Sequence, residues 1–179
     1  SKGLYLKEGT VVDATIIAAP PSTKNKSKSR DPQMRSTKKG NQYYFGMKAH
    51  IGADAASGLV HTLVTTAANV HDVNQAHALL HGEEQQVYGD SGYLGADKRE
   101  ENKDKDVEWV VAMRHGKRRK LRDSGTEEGQ LADKIEKLKS RIRAKVEHPF
   151  YWVKVHFGHR KTRYRGLAKN TAHLYSLFA

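Results

Sequence analysis

Three acidic residues stand where acids are unusual. Asp13 interrupts the apolar run Val-Val-Asp-Ala-Thr-Ile-Ile, Asp90 ends the strand-like run Val-Tyr-Gly-Asp, and Glu147 ends a basic helical segment. A carboxylate is costly to hold in apolar surroundings unless it is paired or binds a metal. Magnesium prefers oxygen ligands, and two ions roughly 4 Å apart catalyse in-line phosphoryl displacement. We therefore interpret the three acids as a candidate site for divalent cations.

Each acid also has a plainer explanation. Asp90 precedes Ser-Gly and could be only a turn or cap residue, and Glu147 could simply pair with Arg143 one helical turn earlier. Asp13 is harder to explain, because strand interiors are depleted in Asp.

The dipeptide His71-Asp72 invites a catalytic interpretation, but we favour a helix start capped by Asn69 with Asp72 in the first turn.

The elements that must position these acids are those of an α/β domain. The 179 residues suffice for one domain, which we predict over 1–179. Apolar positions spaced by four and three residues predict a long helix after Gly125, with a stripe expected to pack on the sheet; its members are Leu131, Ile135, Leu138, Ile142 and Val146. Further helices are predicted from Asn69 to Gly82, as a crossover, and from Leu167 to Phe178. Strands are predicted over 10–19, 43–51, 59–66, 86–90 and 107–113.

The charge balance points to a polyanionic partner. Lys and Arg number 32 against 20 Asp and Glu, giving a formal charge of +12, so nucleic acid is the first candidate. We expect a mobile basic loop over 20–42 and a basic C-terminal segment over 154–179. The lack of cysteine excludes disulfides, thiolate zinc sites and thiol catalysis. No apolar run approaches a membrane span, so we expect a cytoplasmic protein without a membrane partner.

Six motifs resemble those of the DDE transposases of bacterial insertion sequences, in particular the family named after insertion sequence five. In that family the third acid has the signature Tyr, two residues, Arg, three residues, Glu, six residues, Lys. Arg143, Glu147 and Lys154 keep this spacing, whereas Ser140 replaces the Tyr. The motifs are Val-Val-Asp-Ala-Thr (11–15), Thr-Lys-Lys-Gly-Asn-Gln (37–42), Phe-Gly-Met-Lys-Ala-His-Ile-Gly (45–52), Ala-Asn-Val-His-Asp (68–72), Gly-Asp-Ser-Gly-Tyr (89–93) and Arg-Tyr-Arg-Gly-Leu-Ala-Lys-Asn (163–170).

The resemblance implies a fold, a reaction and partners. The fold is ribonuclease H-like, a mixed β-sheet flanked by α-helices, with Asp13, Asp90 and Glu147 as catalytic residues and metal ligands. Two Mg²⁺ ions, or Mn²⁺ as a substitute, would support hydrolysis that frees a 3′-hydroxyl at a transposon end and its attack on target DNA. The partners would be transposon-end and target DNA and, in the active form, a second copy in a homodimer at the bacterial nucleoid.

Basic and aromatic residues are candidates for DNA contact. Lys154 is one by family analogy, and Arg143 is another unless it serves only as the partner of Glu147. Tyr164 could stack on a base or sugar, or be an ordinary surface side chain. The remaining candidates are Arg163, Arg165 and Lys169.

Two other functions remain open from sequence. A basic DNA-binding remnant would keep the acids without catalysis, and a simple nuclease of the same fold would cut DNA without joining strands. Relatives usually carry a helical region before the first strand that helps to recognise transposon ends. Because our first predicted strand begins about nine residues from the start, we expect an N-terminally truncated form, which is a fragment, a trimmed form or a decayed copy.

Overall fold

The chain forms a mixed β-sheet with helices on both faces, as a computed structural model shows for residues 9–179. Residues 1–8, which the predicted domain includes, lie outside the described residues. The expected α/β class with a ribonuclease H-like sheet is confirmed. The six strands are β1 (Gly9–Ala18), β2 (Arg35–Lys39), β3 (Gln42–Asp54), β4 (Val60–Ala67), β5 (Gln86–Gly89) and β6 (Glu108–Val111).

The α-helices of the described residues all follow β6. Between β4 and β6 the chain makes shorter 3₁₀ turns, at Asp72–Leu79, Ser91–Tyr93, Ala96–Lys98 and Glu100–Asn102. The helices are α1 (His115–Asp123), α2 (Glu127–Arg143), α3 (Glu147–Tyr151) and α4 (Leu167–Phe178). A 3₁₀ turn (Ala144–Val146) joins α2 to α3, and a π turn (Trp152–His156) continues α3. None of the helices in residues 9–179 is long and apolar enough to cross a membrane.

Strand β1 lies near the middle of the sheet. It pairs antiparallel with β3 on one side and parallel with β5 on the other, and β6 continues the sheet parallel to β5. Both β2 and β4 pair with β3, so the predicted β3–β4 hairpin is confirmed. Since β5 joins β1 and not β4, the segment between β4 and β5 is the expected crossover.

Alternate residues of β1 enter two separate cores. Val11 and Ile17 face a core closed by Val146, Phe150 and Leu174, whose elements are α3, its preceding turn and α4. Val12 faces the opposite core, which contains Ala76, Leu79 and Tyr93 from the crossover and the turn after β5. Because successive side chains of a strand point to opposite faces, Asp13 lies on the face of Val11 and Ile17.

The crossover helix differs from the prediction. Its apolar positions Ala76 and Leu79 are buried as expected, but the segment is a 3₁₀ helix over Asp72–Leu79. The predicted cap Asn69 is wrong, because His71 occupies the cap position and makes no side-chain capping bond. Asp72 does lie in the first turn, as predicted.

The prediction of a mobile loop over 20–42 is wrong for residues 35–39, which form a strand, and the residues before them are hydrogen-bonded to a distant segment. Arg35–Lys39 forms β2 against the start of β3. Farther upstream, Asp31 Oδ2 accepts a hydrogen bond from the Gly166 amide at 2.6 Å, and Gln33 Oε1 accepts one from the Leu167 amide at 2.6 Å. Basic composition could not reveal these contacts, because each joins residues far apart in sequence.

The apolar stripe of α2 does not pack on the sheet as predicted. Leu131, Ile135 and Leu138 are 60%, 47% and 56% exposed, whereas only the end of the stripe reaches the core, with Ile142 packed against it and Val146 buried. The buried positions of α2 are instead Gly129, Asp133 and Glu136.

Polar contacts explain this rotation of α2. Asp133 Oδ1 accepts a hydrogen bond from Arg118 Nε of α1 at 2.8 Å. Glu136 Oε2 accepts one from the Met113 amide at 2.8 Å. Buried charges of this kind need partners, and these partners fix the face that α2 presents.

Candidate active site and nucleic-acid interface

Asp13 is held in the middle of β1, opposite Ile51 of β3. Its neighbours on the same face, Val11 and Ile17, are fully buried, so the strand cannot turn this side chain away without exposing them. Asp13 Oδ1 accepts a hydrogen bond from the Ala14 amide at 2.8 Å. The apolar run that made this acid conspicuous in the sequence is therefore the element that orients it.

Asp90 follows the neighbouring strand at its carboxyl end. The parallel register pairs Thr10 with Val87 and Val11 with Tyr88, and two more steps place Asp90 level with Asp13 on the same face. Asp90 Oδ1 also accepts a hydrogen bond from the Gly92 amide at 2.8 Å and caps the 3₁₀ turn that follows. Asp90 is therefore a cap residue, as the plainer explanation proposed, and it also lies beside Asp13.

The electrostatics of Asp13 show how crowded with negative charge this position is. The pKa of Asp13 is raised from 3.8 to about 6, mainly by burial and in addition by the charges of Asp90 and Asp72. The Ala14 amide and the Arg143 guanidinium act in the opposite direction. The folded chain therefore maintains a carboxylate whose negative charge is only partly compensated.

Glu147 begins α3 on the same side of the sheet. Val146 before it and Phe150 after it are buried in the core that also holds Val11, but Glu147 itself is exposed. The groups whose charges act on Asp13 do not include Glu147. The carboxylate oxygens of Asp13, Asp90 and Glu147 also do not all lie within 4.8 Å of one another. Among the described residues, the ligand atoms of a different group of side chains meet that distance. The structure brings Asp13 and Asp90 together and places Glu147 at the surface of the adjoining helix.

Arg143 lies one helical turn before Glu147, where the sequence left its role open. No ion pair joins the two in the described residues. Arg143 is partly buried, its Nε has no hydrogen-bond partner, and its charge acts on Asp13 and on Tyr93. Arg143 thus faces the aspartates and not the third acid.

Two residues near the aspartates were not among the predicted site residues: Asp72, which was interpreted only as part of a helix start, and Tyr93, which was not considered. Asp72 receives a hydrogen bond from Lys48 Nζ at 2.8 Å, and its charge reaches Asp13. Tyr93 is fully buried, and its hydroxyl has no hydrogen-bond partner. Burial raises the pKa of Tyr93 well above its ordinary value, and the negative charges of Asp72, Asp13 and Asp90 add to this effect. The motifs Val-His-Asp and Gly-Asp-Ser-Gly-Tyr contained the signal.

The helical segment that begins at Glu147 continues to Lys154. The sequence left this continuity open, because Pro149 lies between the two residues. The proline sits in the first turn of α3, where its missing amide hydrogen is tolerated. Glu147 and Lys154 line the same open groove of 590 Å³. The spacing of the signature therefore places an acid and a base in one groove.

Lys154 belongs to a group of uncompensated positive charges. Burial lowers the pKa of Lys154, and the charges of Lys39 and Arg160 lower it further. Lys39 ends β2, whereas Lys154 lies in the π turn and Arg160 just after it, so two distant segments bring their cations together. Like charges held in proximity favour an anionic partner.

The motif at 163–170 is fixed by one buried side chain. Asn170 is fully buried; its Oδ1 accepts from the Arg163 and Tyr164 amides, and its Nδ2 donates to the carbonyls of Tyr164 and Gly166. Arg163, Tyr164 and Lys169 remain exposed. The asparagine thus shapes a surface turn that presents basic and aromatic side chains.

Arg165 contacts the basic loop. Its Nη1 donates to Ser27 Oγ at 2.7 Å, and its Nη2 donates to Ser29 Oγ at 3.0 Å and to the Arg30 carbonyl at 3.3 Å. Between this loop and Tyr164 lies a second cavity, of 240 Å³. Of the predicted DNA-contact residues, Arg165 is the one with a structural role visible in the described chain.

Comparison with known proteins agrees with this arrangement. The sequence matches the family described as "Transposase DDE domain" over residues 5–179, and no solved structure matches the chain. Proteins of this family have a catalytic function of the transposase type, bind DNA and use divalent metal ions. Since the match covers nearly the whole sequence and the sheet sets two of the expected acids side by side, the chain belongs to the transposase DDE domain family.

Proposed function

We propose that this chain is the catalytic domain, extending over residues 1–179, of an insertion-sequence-five type transposase. It would cut DNA at transposon ends and join the freed 3′-hydroxyl to target DNA. The observation that carries this proposal is the level placement of Asp13 and Asp90 on neighbouring parallel strands, where their charges repel. The six motifs around the acids support the particular family.

The donor set suits a hard divalent cation. Asp13, Asp90 and Glu147 offer only carboxylate oxygens, which Mg²⁺ and Mn²⁺ accept. The raised pKa of Asp13 supports this fit, because a cation would offset the cost of burying the charge of Asp13 and its repulsion by Asp90. We assign these three residues as the ligands of two ions. When bound, the ions would supply water activation and stabilisation of the leaving oxygen.

Two neighbouring residues assist from within the protein. Burial raises the pKa of Tyr93, so its unpartnered hydroxyl keeps its proton at neutral pH and can donate a hydrogen bond towards the aspartates. Arg143 supplies a positive charge beside Asp13 and can hold a DNA phosphate next to the carboxylates.

The DNA would lie along the basic residues next to Glu147. Lys154, with Lys39 and Arg160, supplies uncompensated charge in and beside the groove, and phosphates are its natural partner. Arg163, Tyr164 and Lys169 extend this surface, while Arg165 holds the loop that borders it. Since two transposon ends must be joined to one target, we propose a homodimer as the active form, acting at the bacterial nucleoid in the cytoplasm.

Metal-dependent nicking of supercoiled DNA tests the site. Asp13→Asn, Asp90→Asn and Glu147→Gln should each abolish cleavage with Mg²⁺ and with Mn²⁺, because each removes one oxygen ligand. Asp106→Asn, an exposed acid between the last 3₁₀ turn and β6, is the matched control and should cut normally. Undiminished nicking by all three variants, with unchanged circular dichroism, would refute the assignment.

Strand-transfer products separate transposition from the two rival functions. A labelled transposon-end duplex carrying a free 3′-hydroxyl should become joined to a plasmid target. Cleavage without joined products would instead identify a simple nuclease. DNA binding without cleavage under any divalent metal would identify a non-catalytic remnant.

The salt dependence of DNA affinity tests the basic groove. Lys154→Gln should weaken binding to all duplexes and reduce the slope of log K against log salt by about 0.9, the value for one phosphate contact. Lys134→Gln, an exposed charge on α2, is the control and should leave the slope unchanged. Equal slopes for wild type and Lys154→Gln would place the DNA elsewhere.

A further inference from the structure

A second group of potential metal ligands lies away from the aspartates. The side chains of His61, His81 and Glu84 offer one ligand atom each, all within 4.8 Å of one another. Thr10, which contacts two of them, lies three residues before Asp13 on β1 and on the opposite face, a separation of about 10 Å along a strand. Glu84 precedes β5, whereas Asp90 follows it. The group is therefore separate from the transposase site.

A β-bulge directs His61 into this group. Gly52 pairs with Thr62 and Ala53 with Val60, so His61 is the extra residue of β4. Bulges change the direction of a side chain and recur beside functional sites. A Cβ on Gly52 would lie 2.8 Å from His61 Cε1 and 2.2 Å from the Leu79 carbonyl. Glycine at this position leaves room for the imidazole ring.

Backbone amides hold Glu84 in place. Its Oε1 accepts from the His81 amide at 2.5 Å, and its Oε2 accepts from the Gly82 amide at 2.7 Å. Thr10 Oγ1 donates to the same Oε1 at 3.3 Å. The Glu84 side chain is only 2% exposed. In the described part of the chain Oε2 accepts only one bond and keeps a lone pair for a cation, whereas a cation at Oε1 would displace the long hydrogen bond from Thr10.

The imidazoles have the geometry of ligands. His81 Nε2 is buried without a hydrogen-bond partner and lies 3.5 Å from Glu84 Oε1. Ligand atoms about 2.1 Å from a tetrahedral ion lie about 3.4 Å apart, close to this separation. His61 Nε2 lies 3.2 Å from Thr10 Oγ1, and His61 Nδ1 lies 2.8 Å from Thr62 Oγ1. Metal binding at Nε2 would place the proton of His61 on Nδ1, where it can be donated to Thr62, at the cost of the contact with Thr10. Metal binding by His81 would place its proton on Nδ1, at the cost of a long hydrogen bond (3.3 Å) from the Glu83 amide.

We propose that His61, His81 and Glu84 bind one divalent transition-metal ion of the Zn²⁺ type. Two imidazoles and a carboxylate suit Zn²⁺ and disfavour Mg²⁺, which prefers oxygen ligands. The ion would join β4 to the loop that leads into β5 and would leave a fourth position for water. Such a site would brace the start of the strand that carries Asp90 at its other end. This proposal does not depend on the proposed function.

Calorimetric titration with Zn²⁺ tests the site, with excess Mg²⁺ present to occupy oxygen ligands elsewhere. Wild type should bind one equivalent, and His61→Gln, His81→Gln and Glu84→Gln should each weaken binding by at least about tenfold. Two controls should bind as wild type does. They are His115→Gln, an exposed histidine at the start of α1, and Asp13→Asn at the other site.

X-ray absorption at the zinc edge of the wild-type protein guards against variants that fail to fold. The spectrum should show nitrogen and oxygen ligands with the outer-shell scattering of two imidazoles. Absence of stoichiometric binding to wild type, binding unaffected by all three substitutions, loss of binding in Asp13→Asn, or a spectrum without imidazole scattering would overturn the proposal.

Discussion

Asp13 and Asp90 are level on neighbouring parallel strands, because the ladder that pairs Val11 with Tyr88 continues by two residues. This places two carboxylates on one face of the sheet, where burial and, to a smaller extent, the charge of Asp90 raise the pKa of Asp13 to about 6. Natural strands avoid such an arrangement unless it serves a purpose, since like charges in a partly buried position oppose folding. Its thermodynamic cost can be measured.

Asp13→Asn should stabilise the metal-free protein above pH 7. The folded-state pKa of Asp13, about 6, exceeds the unfolded value of 3.8, so ionisation of this group destabilises the fold as pH rises through 6. Two pKa units correspond to about 3 kcal/mol, an upper bound for the gain in the free energy of unfolding. Thermal unfolding at pH 7.5 in EDTA measures it. Mg²⁺ should then raise the melting temperature of wild type but not of the variant, and Asp106→Asn should follow wild type in both conditions.

Two buried histidines should make the protein sensitive to acid. Burial lowers the pKa values of His50 and His159 to about 4 from 6.5, so the unfolded chain takes up their protons first. The stability they contribute is complete above pH 6.5 and is lost as pH falls towards 4. Asp13 acts in the opposite sense and offsets one of them. Burial also lowers the pKa of His61, so between pH 6 and 4.5 the free energy of unfolding should fall by at least about 1.4 kcal/mol per pH unit, the value for one proton.

Single substitutions separate these contributions. His159→Gln should reduce the slope of the free energy of unfolding against pH in this range by about 1.4 kcal/mol per pH unit, and Asp13→Asn should increase it by about the same amount. Urea unfolding at a series of pH values measures all three proteins. Parallel pH profiles would show that neither group carries the assigned shift.

Arg165→Gln should release the basic loop. The guanidinium donates three hydrogen bonds, to Ser27, Ser29 and Arg30. Their loss should lower the free energy of local opening by about 1 kcal/mol, which corresponds to roughly fivefold faster exchange. Amide hydrogen exchange over residues 25–31 reports this opening. Arg141→Gln removes the same charge from the exposed side of α2 and should not alter the exchange. Equal exchange in the two variants would mean that Arg165 does not hold the loop.

Two leucines in helices should differ sharply in their contribution to stability. Leu174→Ala removes a fully buried side chain from the core under β1 and should cost about 2–5 kcal/mol. Leu138→Ala, at a position 56% exposed on α2, should change stability by less than about 0.5 kcal/mol. Denaturant unfolding compares them directly. A large loss in Leu138→Ala would show that the apolar stripe of α2 is covered in solution.

Local sequence patterns predicted the elements that depend on neighbouring residues. The apolar run around Asp13, the turn at Gly58 and the spacing from Leu167 to Phe178 correctly predicted β1, the β3–β4 hairpin and α4. Strand β2 was missed because its five residues are mostly exposed and polar, and only its pairing with β3 makes it a strand.

The sequence by itself determined that Asp13, Asp90 and Glu147, each in its motif, are the candidates for phosphoryl transfer. Only the tertiary structure decided that the charge of Arg143 acts on Asp13, that the charges of the aspartates reach the buried Tyr93, and that Arg165 holds the basic loop. It also turned α2 so that Asp133 and not Leu131 is buried. The physical reason is that periodicity records the preference of each residue for water, whereas the hydrogen bonds and charges that fix these contacts join residues far apart in the chain.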